Sequence, residues 1–149
     1  MHPVKKASPS EGLIMANALY AKGKEKLLSA GINLTSATVK VALVKNTYPQ
    51  NLATDEFYTS ISAYVLGTPQ TLTGKSVTAG VFDAGDPTYT AVTAGDTSEG
   101  VVIYIDTGGG AGTNPLLAYI DTITGFPLAT NGGDITIQWD NGAYKIFSL

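Results

Sequence analysis

Thr38-Val39-Lys40-Val41-Ala42-Leu43-Val44 alternates β-branched residues with small or polar ones, a period of two that predicts a strand. Upstream the period is helical. Leu19, Tyr20, Gly23 and Leu27 share a stripe, so residues 17–29 read as one short amphipathic helix. Asn17 is its expected N-cap, and Gly31 lies where a left-handed C-cap residue is wanted. Gly23 inside the helix costs up to ~1 kcal/mol against alanine, which suggests a neighbouring element packed closely there. Downstream the period of two persists. Residues 76–82 and 88–92 read as strands, and 116–121 as another. Gly100-Val101-Val102-Ile103-Tyr104-Ile105, within 99–107, is the most apolar strand and is expected at the centre. Residues 54–58 read as a capped helical turn with Thr54 as N-cap.

Near the C-terminus, Ile135, Ile137 and Trp139 alternate with Asp134, Thr136, Gln138 and Asp140. Asn141-Gly142 follows and tolerates the positive φ angles of a type I′ turn, so residues 143–147 are expected to fold straight back on 135–139. Six or seven short strands with polar turns and one or two short helices near the N-terminus predict a mainly β fold. An antiparallel β-sandwich or jelly-roll-like module is expected. With 149 residues the chain is long enough for one core. The expected division is an extended N-terminal arm, residues 1–14, and a single β-rich domain, residues 15–149. Pro3 and Pro9 and the absence of periodicity deny the arm a helix of its own. Met15-Ala16-Asn17 reads as a second possible start of translation.

The inventory of reactive residues is narrow. Cysteine is absent, all nine basic residues are lysines, and His2 is the one histidine. Disulfides, thiolate chemistry and nucleophile–imidazole pairs within one chain are therefore excluded. Guanidinium forks are excluded too, which argues against sequence-specific nucleic-acid recognition. Gly74-Lys75-Ser76 has Pro69 where a phosphate-binding loop needs glycine, and it reads as a turn before a strand. Gly108-Gly109-Gly110-Ala111-Gly112 runs into another strand instead of a helix, so it reads as a hairpin loop. Asp83, Asp86 and Asp96 fit no 12-residue calcium loop and read as turn residues. No catalytic, cofactor-binding or metal-binding residue is expected. The eight tyrosines look like strand and interface aromatics scattered across elements.

Charge is asymmetric. Residues 1–45 hold seven lysines against two glutamates, +5, and residues 46–149 hold two lysines against ten carboxylates, −8. A basic front and an acidic body can attract between neighbouring copies, a screened effect, and ordinary solvated surface is the favoured reading. Ser8, Pro9, Ser10, Glu11 and Gly12 interrupt any signal-peptide pattern, and no apolar run approaches the ~20 residues that span a bilayer. The expectation is a protein made and used in the cytoplasm, with no membrane partner.

Four segments carry a resemblance. They are Ala18 to Leu28, Thr38 to Val44, Gly80-Val81-Phe82-Asp83-Ala84-Gly85-Asp86-Pro87-Thr88-Tyr89, and Leu117 through Phe126-Pro127 to Gly142. Together they resemble virion structural proteins of tailed bacteriophages, in particular capsid decoration (cement) proteins, from about Met15 to the C-terminus. The resemblance implies a non-enzymatic module without cofactor that forms a homo-oligomer and binds the major capsid protein on the virion surface. The arm, residues 1–14, lies outside the resemblance and is the candidate strap between subunits, with Val4, Leu13 and Ile14 as anchors and Lys5 and Lys6 pairing with acids on a neighbour. Tyr48 and Tyr58 complete the expected interface. A tail, fibre or baseplate protein with an adhesion or carbohydrate-binding role is the alternative, and a buried Trp139 would weaken it.

Overall fold

A computed structural model describes residues 17–149 and the backbone of residues 5–7. In chain order the first elements are strands β1 (Lys5–Ala7) and β2 (Asn17–Leu19), helix α1 (Ala21–Leu28), and strands β3 (Thr38–Lys45) and β4 (Val65–Thr71). Next come β5 (Ser76–Thr78), β6 (Val81–Asp83), β7 (Thr88–Tyr89), β8 (Thr97–Asp106) and β9 (Leu116–Ile120). The last are β10 (Leu128–Ala129), β11 (Ile135–Trp139) and β12 (Phe147–Ser148). Single 3-10 turns lie at Tyr58–Ser60, Ser62–Tyr64 and Ala111–Thr113.

The fold is mainly β and sandwich-like, its sheets antiparallel apart from the parallel pairing of β1 with β11. The large sheet has the order β2-β9-β8-β3-β4, with β10 added to the start of β8. Two three-stranded sheets, β1-β11-β7 and β12-β6-β5, contribute to the layer packed against it. Val39, Val41 and Leu43 of β3 and Val101, Ile103 and Ile105 of β8 face this layer. There they share one core with Phe82, Tyr89, Ile135, Ile137, Trp139 and Phe147. Each such side chain contributes roughly 1.5–3 kcal/mol by leaving water. The intervening residues, Ala42, Val44, Val102 and Tyr104, face the other way and join a second buried cluster. β8 is thus covered on both faces, which is why it reads as an unbroken apolar run and lies at the centre.

Several expectations shift. The helix begins at Ala21, four residues later than expected, because Asn17 to Leu19 pair with β9. Asn17 caps no helix; its buried Oδ1 accepts the N–H groups of Asp121 and Thr122 at 3.0 and 3.1 Å, tying β2 to the end of β9. At the other end Ala30, not Gly31, adopts the left-handed φ of 60°, while the Gly31 N–H returns to Lys26 O and that of Ala30 to Leu27 O. This is a Schellman closure with alanine in glycine's usual place. Gly23 does meet a close neighbour: a β-carbon there would lie 2.5 Å from the Leu116 carbonyl oxygen of β9.

The turn expected at 54–58 moves to Tyr58–Ser60. Asn51 Oδ1 accepts from Ala53 and Thr54 N–H, and Phe57 stays extended, bridged to Pro115. Residues 76–82 are a hairpin, β5 and β6, instead of one strand, and β7 stops at Tyr89. The turn expected at Asn141-Gly142 does not form: neither residue has positive φ, and Asp140 Oδ2 accepts the Gly142 N–H at 3.0 Å in a local turn. β11 is instead flanked by β7 on one edge and β1 on the other, so β12 goes to β6. The two-residue turn with positive φ at both positions is Ala79-Gly80, at 52° and 78°. β4 was not expected at all. Gly67 and Pro69 disguise it, and Pro69 is tolerated because β4 is an edge strand.

Candidate interface

Six of the tyrosines gather on one face of the large sheet. Tyr104 of β8 and Tyr119 of β9 project from the sheet, Tyr20 arrives from the turn before α1, and Tyr48, Tyr58 and Tyr64 come from the segment between β3 and β4. Tyr58 lies 4.7 Å from Tyr104 between ring centroids, and Tyr48 lies 5.6 Å from Tyr64 and 6.1 Å from Tyr119. These are tilted or edge-to-face contacts, the arrangements that ring quadrupoles favour. The hydroxyl of Tyr20 is hydrogen-bonded to that of Tyr48 at 2.9 Å, and Tyr48 donates to Asp55 Oδ2 at 2.7 Å. Asp55 also accepts the Asn51 N–H, so the chain of hydroxyls ends on a fixed carboxylate. Burial pushes the Tyr20, Tyr48, Tyr104 and Tyr119 phenols above their ordinary range, nearby carboxylates add to this, and at Tyr48 the hydrogen bond with Tyr20 partly opposes it.

The expected interface residues therefore have different settings. Tyr48 is 8% exposed and engaged within its own chain, while Tyr58 is half-buried against Tyr104. Lys5 and Lys6 lie in β1, which runs parallel to β11 of the same chain with Lys5 opposite Ile137 and Lys6 opposite Gln138. Val4, Leu13 and Ile14 lie outside the described residues, as does His2. The sequence treated the tyrosines as scattered; only the register, with Lys40 opposite Tyr104 and Val102 opposite Tyr119, brings them to one face.

The basic front and acidic body meet inside the molecule. Lys26 pairs with Glu56 at 2.6 Å, Lys40 with Asp106 at 2.9 Å and Lys45 with Asp96 at 3.0 Å. The Lys40 ammonium beside Asp106 holds its carboxyl below the usual range. Asp83 accepts the Ala84 N–H and Asp86 the Trp139 N–H, so the three aspartates considered for calcium serve three separate structural contacts. Asp121 differs. Burial, then the Glu99 charge, pushes its carboxyl up, and no hydrogen bond reaches Oδ1 among the described residues. Trp139 is buried and donates its indole N–H to Gly85 O at 3.0 Å. No helix among the described residues is long and apolar enough to cross a membrane.

These surfaces belong to a mainly β, sandwich-like protein whose large sheet is covered on both faces by its own chain. No family model matches the chain, and no curated protein matches it.

Proposed function

We propose that the protein is a non-enzymatic virion structural protein of a tailed bacteriophage, a decoration protein that binds the assembled shell and stabilises it. The observation that carries this reading is the pairing of Lys5–Ala7 with β11. A segment with two prolines and no helical pattern joins a sheet edge through its backbone, which is the chemistry a strap between subunits needs. The two covered faces of the large sheet support the same view, because they leave edges, loops and ends for contact with capsid subunits and with other copies. A protein that binds only the expanded shell stabilises it by mass action.

Purified shells of the source phage, mixed with full-length protein and with a variant beginning at Met15, test the reading. Full-length protein is expected to bind and raise the shell's melting temperature, and the shortened variant to protect less. Equal protection by both would remove the strap, and shells that bind neither would remove the decoration role. The second reading is a tail, fibre or baseplate component that binds carbohydrate. Buried Trp139 offers it no platform, but the exposed Tyr144 favours it.

A further inference from the structure

The β5–β6 hairpin has two unlike faces. Val77 and Phe82 are directly opposite on one, where Phe82 is buried 5.3 Å from the Phe147 ring. Ser76 is opposite Asp83 and Thr78 opposite Val81 on the other, which faces away from the core. The segment after β11 rises beside this outer face. Ala143 and Lys145 close a cleft of about 280 Å³ over Ser76, Thr78, Val81 and Asp83. The hydrogen bond from Ile146 N–H to Phe82 O fixes the segment against β6.

We propose that this cleft binds a neutral saccharide. Ser76, Thr78, Asp83 and Lys145 are the polar residues along it. The carboxylate disfavours an anion and the ammonium disfavours a simple cation, whereas a polyol satisfies both: sugar hydroxyls donate to Asp83 and accept from Lys145. The Ser76 and Thr78 hydroxyls both donate and accept, which suits the same partner. Asp83 is held in place, since one oxygen accepts the Ala84 N–H at 2.9 Å. Lys145 adopts a φ of 50°, a conformation rare for a side chain of this kind, and its Nζ donates to Asn141 O at 3.3 Å. Strain of this sort gathers at sites where position matters more than local stability.

The proposal is independent of shell binding and deepens the carbohydrate-binding reading. The full chain, labelled with nitrogen-15, is titrated with maltotriose, cellotriose and tri-N-acetylchitotriose, alongside an array of neutral oligosaccharides. Inorganic phosphate and calcium chloride are the controls. At least one neutral oligosaccharide is expected to move amide signals confined to residues 76–83 and 143–145. Thr78→Ala and Asp83→Asn are each expected to weaken that binding about tenfold, with circular dichroism unchanged. Silence across the array and the three titrants overturns the proposal, as do shifts elsewhere in the molecule. Equal shifts with phosphate or calcium, or full affinity in both variants, overturn it as well. None of these outcomes bears on the shell experiment, which contains no free saccharide.

Discussion

A β-carbon on Gly23 would approach the Leu116 carbonyl oxygen to 2.5 Å and the Leu117 Cα to 3.1 Å. Both atoms are backbone of β9, an inner strand of the large sheet, so neither can yield without moving the sheet. Gly23→Ala gains up to ~1 kcal/mol of helix propensity but is expected to lose more to overpacking, typically 1–3 kcal/mol. The net outcome is about 1 kcal/mol of destabilisation, read as a lower midpoint in urea with an unchanged slope. Ala79 presents the opposite case. Its φ of 52° precedes Gly80 at 78°, and alanine is poorly suited to that region while asparagine is well suited. Ala79→Asn is expected to stabilise by about 1 kcal/mol, raising the melting temperature by roughly 2–4 °C. Asn141→Gly should give no comparable gain, because residue 141 has no positive φ to relieve.

At the scale of elements, β11 shows what the edge strand β1 contributes. The Ile137 N–H donates to Pro87 O and the Trp139 N–H to Asp86 Oδ1, both on the β7 side. Gln138 lies between them, so its N–H turns to the edge that β1 occupies. A variant beginning at Met15 is therefore expected to lose hydrogen-exchange protection at Gln138 while Ile137 and Trp139 keep theirs. Uniform protection along β11 in that variant would contradict the pairing. β3, β8, β9 and β11 were legible in the sequence because they are buried and their side-chain pattern is long enough to show its period. β2, β4 and the β5–β6 hairpin were not, because their conformation depends on distant partners: β9 for Asn17, the edge position for Pro69, and the sheet with Phe147 for Val81 and Phe82. The cleft was hidden for the same reason. Ser76 and Asp83 become neighbours only once the chain reverses at Ala79-Gly80.

For the molecule as a whole, titration links the tyrosine face to stability. Five phenols of that face, those of Tyr20, Tyr48, Tyr58, Tyr104 and Tyr119, and that of Tyr89 in the core between the layers are raised above their ordinary value, in each case chiefly by burial. A group whose folded pKa is raised keeps its proton in the native state while the unfolded chain loses it. The associated stability is fully present below the unfolded value of about 10 and is lost as pH rises beyond it. Tyr20 and Tyr89 are almost inaccessible to water, at 0% and 1% exposure, so neither ionises without the fold opening. Each of the two removes about 1.4 kcal/mol per pH unit above that value, and the more exposed phenols add smaller slopes. Alkaline unfolding is therefore expected to be steep. Phenolate absorbance near 295 nm should rise in step with the loss of far-ultraviolet circular dichroism. Smooth ionisation of most tyrosines near pH 10 with the circular dichroism intact would show that the covered face is open to solvent. Tyr48→Phe tests the same face from within, because it leaves Tyr20 and Asp55 without their shared hydroxyl. It is expected to cost about 1–3 kcal/mol at neutral pH, the range for stranding a buried polar partner.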